Sequence, residues 1–331
     1  MSDGLPGRIL VTGGAGYIGS HCCKALHLAG RTPVVYDNLS RGHADAVKWG
    51  PLVVGDMRDE ASLTQTLREH RIEAVIHFAA LAYVGESATA PEAYYSNNVG
   101  GMIALVNAMR QAGVGQIVFS SSCATYGTPD TLPIREDAPQ RPINPYGRTK
   151  LICEWMLRDA AAAHGLRFAA LRYFNAAGAD PEGEIGERHD PETHVLPLAL
   201  MAASGQAPPL QVFGTDYPTE DGTCIRDYIH VTDLARAHLL ALEHLARGGE
   251  NLALNLGTGI GASVRQVVAA VERATGRKVP LTEAPRRAGD PAELTADPAR
   301  AAEVLGFTAQ YRDLEEIAAH AAPWFGHSRD G

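Results

Sequence analysis

The chain has 331 residues, 45% of them hydrophobic, enough for two modest domains or one large one with a lobe. A net charge of −9 excludes a broad nucleic-acid surface, so any phosphate binding falls to local arginines and backbone amides. No apolar run approaches the ~20 residues of a membrane span. The first seven residues lack the charged lead and apolar run of a signal peptide, so a cytoplasmic, membrane-free protein is expected.

The first element is Arg8-Ile-Leu-Val-Thr-Gly-Gly-Ala-Gly-Tyr-Ile-Gly19. Ile9 to Val11 is short enough for a buried strand. Glycines follow at Gly13, Gly16 and Gly19, and then a helical stretch that ends at Gly30. Strand, glycine turn and helix together are the context of a dinucleotide site. Gly13 permits the tight turn, Gly16 lets a pyrophosphate reach the backbone, and Gly19 lets the helix pack on the strand. The helix amino terminus then offers unpaired N–H groups to the phosphates.

Thr32 to Asp37 reads as a second strand ending in an acid, 18 residues beyond Gly19. A carboxylate there accepts from ribose hydroxyls and repels a 2′-phosphate, which favours NAD over NADP. Leu52 to Met57 is a third strand whose tip, Asp56, is placed to bond the adenine amino group. Asp59 to His70 looks helical. Ala74 to Ala80 is a fourth strand, with small residues at Ala79 and Ala80 that allow cofactor contact. Pro91 to Gly113 is one long helical pattern, and Gln116 to Ser122 is a fifth strand ending in hydroxyls. Such alternation implies right-handed crossovers and a parallel sheet, whose ligands lie beyond the strand carboxyl ends. Gly13, Asp37, Asp56, Phe78 and Ser122 would then face one crevice.

Asn144-Pro-Tyr146-Gly-Arg-Thr-Lys150 leads into a helical run, Leu151 to Ala163. Tyr146 and Lys150 are four apart and share a helix face. For Tyr146 to act as a base, its pKa must fall from about 10 to near 7, roughly 4 kcal/mol in favour of the phenolate. A neighbouring ammonium and a positively charged nicotinamide can supply that. Leu166 to Leu171 is a sixth strand. From Gly178 to His194 the chain is polar and loop-like. A short helix (Leu196 to Ala203), a small strand at Gln211 to Phe213 and a polar loop from Asp216 to Asp233 follow, with a helix capped near Thr232. Leu252 to Leu256 is a further strand, and the tail from Ser263 holds two or three helices and the basic turn Pro285 to Asp290. The five cysteines (Cys22, Cys23, Cys123, Cys153 and Cys224) are odd in number and lack repeated C-x-x-C spacing. Reduced thiols are expected, with no disulfide framework and no metal.

Taken together, these segments resemble the UDP-glucose (UDP-galactose) 4-epimerases of the extended short-chain dehydrogenase/reductase family. The matches include Val11-Thr-Gly-Gly-Ala-Gly-Tyr-Ile-Gly-Ser-His21, Val75-Ile-His-Phe-Ala79, Tyr146-Gly-Arg-Thr-Lys150, Asp216-Tyr-Pro-Thr-Glu-Asp-Gly222 and Arg226-Asp-Tyr-Ile-His-Val231. The last two are the most specific. The resemblance implies an α/β fold, a Rossmann-type doubly wound parallel sheet with a smaller mixed α/β substrate domain. It places the NAD-binding domain at residues 1–175, with 229–257 packing back on it, and the UDP-sugar domain at 176–228 and 258–331.

The resemblance also implies roles. Tyr146, Lys150 and Ser122 would be catalytic. Tyr146 takes the proton of the sugar 4-hydroxyl as hydride leaves C4, Lys150 holds the nicotinamide ribose, and Ser122 bonds the 4-oxygen. NAD contacts would come from Gly13, Gly16, Tyr17, Ile18, Gly19, Asp37, Asn38, Leu39, Ser40, Asp56 and Met57, then from Phe78, Ala79, Ala80, Asn97, Tyr146, Lys150, Tyr173 and Phe174. The UDP-sugar would meet Ser122, Tyr146, Asn175, His194, Val195, Gln211, Phe213, Arg226, Arg287 and Asp290. Two arginines suit a pyrophosphate. A salt bridge to Asp227 or Asp233 is the alternative for Arg226. Related dehydratases and decarboxylases carry carboxylates just after the hydroxyl-bearing strand, where this chain reads Ser122-Cys-Ala-Thr-Tyr126. That difference favours epimerisation, with NAD retained and oxidised again in each cycle. Other UDP-sugars are the alternative substrates, namely UDP-GlcNAc or a pentose such as UDP-arabinose or UDP-xylose, with Leu294 at the position that sets room around C2. The remaining alternative is a non-catalytic NAD-binding regulator. A homodimer is expected.

Overall fold

The computed structural model describes residues 5–287 and 290–327. Met1 to Gly4, part of the leader reading, and Ala288-Gly289, inside the basic turn, lie outside the described residues. Seven parallel strands form the central sheet: β1 (Arg8–Thr12), β2 (Thr32–Asp37), β3 (Leu52–Val54), β4 (Ala74–His77), β5 (Gln116–Ser122), β6 (Arg167–Tyr173) and, later in the chain, β10 (Leu252–Leu256). Their order is β10-β6-β5-β4-β1-β2-β3. The chain reverses its direction of travel between β1 and β4, which opens a crevice beyond their carboxyl ends.

Both faces of the sheet are covered, so its strands are nearly continuous apolar runs. Ile9, Val11, Val35, Ile76 and Val118 point to one side, against helices α1 (Tyr17–Leu28) and α8 (Val231–Ala246). Leu10, Val34, Tyr36, Val75, Ile117 and Phe119 point to the other, against α2 (Glu60–Glu69), α5 (Gly101–Ala112) and α6 (Pro145–His164). Each such Leu, Ile or Val contributes ~1.5–3 kcal/mol on burial.

Three expected elements are shorter or less regular than the sequence pattern: β3, expected to run to Met57, stops at Val54, and the other two are β4 and the helix after Pro91. β4 ends at His77, because the Phe78 and Ala79 amides both turn to the Thr12 carbonyl. The long helix after Pro91 is interrupted. Short helices α3 (Val84–Thr89) and α4 (Pro91–Tyr94) precede a π-turn over Tyr95–Gly100, and only then does α5 begin. Asn98 lies in that turn, and its side chain bonds outward to the Leu81 backbone and Thr149. A π-turn that aims polar side chains out of a helix is often functional.

The rest forms a smaller assembly. β7 (Asn175–Ala177), β9 (Ile225–His230), β11 (Gly261–Ser263) and β13 (Glu293–Leu294) make one sheet, and β8 (Leu210–Phe213) pairs with β12 (Leu281–Ala284). Helices α7 (Val195–Ser204), α9 (Val264–Thr275) and α11 (Leu314–Ala321) close around Leu196, Leu200, Val267, Val271 and Ile317. Helix α10 (Ala299–Leu305) supplies Ala301 to the core under α8. The segment Asp216 to Asp233, expected as a loop, contains β9. Its Asp227 is wholly buried and accepts from Thr258, Gly259 and Ala296. The cap of α8, expected near Thr232, is His230, which accepts from the Thr232 amide at 3.1 Å. All five cysteines are unpaired thiols. Among the described residues, no helix is long and apolar enough to cross a membrane.

Candidate active site

The crevice beyond β1 depends on close backbone approach. Gly13 turns the chain in the left-handed region (φ +72°), and a Cβ there would stand 2.6 Å from the Ala79 nitrogen. A Cβ on Gly19 would fall on the Gly13 carbonyl and 2.8 Å from the Gly14 Cα. Both obstacles are backbone, so only glycine lets loop, helix and β4 meet. Gly16 has more room, 3.3 Å to one carbonyl, and sits at the N-cap of α1. No side chain caps that helix, and its first turn carries no acid. An uncapped start with unpaired N–H groups and a partial positive charge fits the pyrophosphate of a dinucleotide. Tyr17 begins the helix and donates to the Gly178 carbonyl at 2.6 Å, and Ile18 packs under the loop.

On the adenosine side, Asp37 lies at the β2 tip and is 8% exposed. Its carboxylate accepts from the Ala15 amide at 3.1 Å and the Leu39 amide at 2.8 Å. Burial raises its pKa, and those two amides oppose the rise. Leu39 is held at φ +59° by this bond. Asn38 takes the Ser40 amide and hydroxyl. Asp56, expected to meet adenine, is gripped by Arg58 at 2.8 and 2.7 Å, which holds its pKa down at about 2. Met57 beside it is buried in the core. Phe78 packs on His238, 4.6 Å between ring centres, while Ala79 lies against the Gly13 turn and Ala80 follows in a bend. Asn97 donates to Asn98, and Asn98 ties the chain after β4 to α6 through Thr149.

The catalytic candidates converge at the carboxyl end of β5. Asn144 caps α6 by accepting the Gly147 amide at 2.8 Å, with Pro145 in the first turn. This sets Tyr146 and Lys150 on one buried face; they are 8% and 3% exposed. The Lys150 ammonium donates to the Ser120 carbonyl at 2.7 Å and lies 5.8 Å from the Tyr146 ring centre. Ser122 ends β5 and accepts from the Ala124 amide. Tyr173 at the end of β6 shares a 2.6 Å bond with Ser120. Burial raises the Tyr146 pKa well above the usual phenol range; Tyr173 adds to the rise and the nearby Ser122 hydroxyl opposes it. Burial also draws Lys150 down to about 8. Burial thus works against the charged form of both groups, yet at about 8 Lys150 remains an ammonium near neutral pH while Tyr146 stays a phenol. The protein alone does not make the phenolate, and a positive charge must enter with the ligand.

The second group of candidates lies across the crevice. Asn175 begins β7 beside Tyr228, Phe174 is buried next to Cys123, and His194 and Val195 start α7. Gln211 and Phe213 lie on β8, with the Arg287 guanidinium 4.0 Å from the Phe213 ring centre. Arg226 pairs with Asp290, not with Asp227 or Asp233. Asp227 is consumed by backbone amides, and Asp233 binds Arg236 and the Gln310 and Tyr311 amides. The two residues assigned to one ligand from opposite ends of the substrate segments therefore already touch. Leu294, opposite Arg226 in the β9–β13 pair, packs on the cluster that contains Cys123 and Phe174.

Three features of the site were missed in the sequence. Asn98 showed only as a polar doublet in an apolar helix. Thr12 and His77, at the ends of β1 and β4, share a buried 2.6 Å bond. Glu154 and Arg172 form a buried fork at 2.9 and 2.6 Å, joined by Tyr126 at 2.8 Å, directly behind Ser121.

Comparison with known proteins agrees with this geometry. The model of the NAD dependent epimerase/dehydratase family matches residues 9–257. The UDP-glucose 4-epimerase of Rhizobium meliloti (strain 1021) is 54% identical over 97% of both chains. The crystal structure of the Brucella ovis UDP-glucose 4-epimerase in complex with NAD superposes with a TM-score of 0.95 at 60% identity, covering 97% of this chain and 99% of that one. The UDP-Glc/GlcNAc 4-epimerase of Campylobacter jejuni reaches 0.85 at 39% identity, over 96% and 98% of the two chains. With a glycine turn, an uncapped helix start and a Tyr/Lys pair behind the match, the chain belongs to the NAD-dependent epimerase/dehydratase family.

Proposed function

We propose that the protein interconverts UDP-glucose and UDP-galactose by transient oxidation at C4. One observation carries this reading: a phenol, a hydroxyl and an ammonium meet at the end of β5, and no carboxylate follows in Cys123 to Tyr126. Bound NAD supplies reversible hydride acceptance and a positively charged ring. Tyr146 takes the proton of the 4-hydroxyl, Ser122 holds the 4-oxygen, and Lys150 fixes the nicotinamide ribose and opposes protonation of the phenol. The glycine turn holds the cofactor pyrophosphate, and Asp37 the adenosine ribose. Binding energy resides in UDP, on Asn175, His194, Val195, Gln211, Phe213, Arg226, Arg287 and Asp290, so the 4-keto sugar can turn over while the nucleotide stays. With hydride returned to the opposite face of the turned ketone at C4, Tyr146 would give its proton back to the 4-oxygen, which completes the inversion and leaves NAD oxidised again. Asp290 must share Arg226 with the pyrophosphate.

The division of labour follows from this. Residues 1–175 with 229–257 bind NAD, and residues 176–228 and 258–331 bind the UDP-sugar. Two such chains form a homodimer through the face of α5 and α6 that leaves Ile103 and Trp155 half exposed. A cytoplasmic site suits five unpaired thiols, four of them buried. The test is conversion of UDP-galactose to UDP-glucose by the purified protein without added NAD, beside UDP-GlcNAc and UDP-arabinose. Turnover of a pentose or N-acetylated sugar alone would move the substrate assignment, and no turnover of any would reject it.

A further inference from the structure

Going beyond that reading, we propose that Glu187, His189, Glu192 and His194 form a site for one divalent transition metal, best suited to zinc. All four come from the loop that enters α7, and their ligand atoms lie within 4.8 Å of one another. Glu187 Oε1 stands 2.9 Å from His189 Nδ1 and 3.1 Å from His194 Nδ1. Glu192 closes the ring, with Oε1 2.8 Å from His194 Nδ1 and Oε2 3.6 Å from His189 Nδ1. These separations bracket the ~3.3 Å edge of a tetrahedron whose bonds are about 2.0–2.1 Å long, the lengths of zinc to nitrogen and oxygen ligands. Two imidazoles and two carboxylates make a borderline donor set of charge −2, which one divalent ion balances.

A second observation is independent of the clustering. Glu192 Oε1 already accepts from the Thr193 and His194 amides, whereas Oε2 is buried without any hydrogen-bond partner. The side chains of Glu192 and Glu187 are only 4% and 2% exposed. A buried carboxylate oxygen that meets the His189 Nδ1 cation only at 3.6 Å, beyond hydrogen-bond reach, is costly, and a metal ion in direct contact removes the cost. This site runs against the expectation of no metal, which rested on cysteine spacing and so did not weigh imidazole and carboxylate ligands. The loop also touches the glycine-turn side, since His189 lies 6.1 Å from the Tyr17 ring and Arg41 donates to the Asp190 carbonyl. A metal here would fix the entry to α7, where His194 and Val195 stand.

The test is zinc titration of untagged, chelator-treated full-length protein by calorimetry, with zinc content measured after gel filtration. One zinc per chain with a dissociation constant below about 1 μM is expected. Glu192→Gln keeps an oxygen for the two amides but replaces the ligand oxygen with an amide nitrogen. It should weaken binding by at least about a hundredfold, more than the loss of an outer partner, with NAD content unchanged. His189→Gln should do the same, so a folding failure in either variant leaves the other decisive. Zinc should raise the melting temperature of the parent and not of the variants. Zinc uptake that is absent, or equal in parent and Glu192→Gln, would overturn the site; in that case protons alone hold the four groups together.

Discussion

Gly19→Ala sets two physical effects against each other. Gly19 lies inside α1 with ordinary helical backbone, so alanine should gain up to about 1 kcal/mol of helix propensity. Against this, the new Cβ meets the Gly13 carbonyl and the Gly14 Cα, neither of which is the end of a flexible side chain. Relief requires α1 to move by about 1 Å from the turn. Overpacking of this kind costs ~1–3 kcal/mol, so the net change is a loss of up to about 2 kcal/mol and a fall of a few degrees in melting temperature. The greater effect falls on the cofactor, because a ~1 Å displacement of positioning groups can cost a hundredfold. The assay is the NAD released on denaturing the purified variant, beside calorimetry. Gly85→Ala is the control, since nothing lies within 4 Å of its Cβ. It should keep NAD and stability. A Gly19→Ala protein with full NAD and a raised melting temperature would refute the close-approach argument.

Tyr146→Phe should lower turnover by ~10²–10⁴-fold, the usual worth of a positioned acid–base group, while retained NAD is unchanged; near-normal turnover would remove Tyr146 from the mechanism. Glu154→Ala leaves the 2%-exposed Arg172 without its carboxylate, a loss of ~3–5 kcal/mol readable as a lowered guanidinium midpoint. Acid should also destabilise the fold. Burial holds His21 and His238 near 4 and His77 and His230 near 3, against about 6.5 in the unfolded chain. Below pH 6.5 the unfolded chain therefore binds protons that the native state refuses. Stability falls with pH down to about 4, by at most roughly 5 kcal/mol per unit for the four together. Unfolding midpoints that are level between pH 7 and pH 5 would contradict this.

The sequence-legible part of the molecule is the part that local rules govern. β1, its glycines and α1 were readable because strand run, turn and helix signals are contiguous. Asn144 and Pro145 announce α6 in the same way. What was not legible depends on contacts between distant residues. Nothing near Asp227 indicates that amides at Thr258, Gly259 and Ala296 would claim it, and Arg226 was free on paper to pair with either neighbouring acid. Its real partner, Asp290, is 64 residues away. The π-turn was hidden because its residues keep helical periodicity, and only the bonds from Asn98 to Leu81 and Thr149 reward the wider turn. The burial of Tyr146 is hidden for a related reason, and it leaves the nicotinamide to supply the positive charge that Lys150 alone does not. The spacing to Lys150 suggests a charge pair, but both groups are dry, and burial outweighs their proximity.

The central claim is that hydride leaves the sugar for a cofactor the protein keeps, with Tyr146 as the base. The most direct measurement is the absorbance of purified protein mixed with UDP-glucose, with no NAD added. A reduced-nicotinamide band should develop in the parent and be strongly slowed in Tyr146→Phe. A parent protein that carries NAD, binds UDP-glucose and shows no such band would contradict the account.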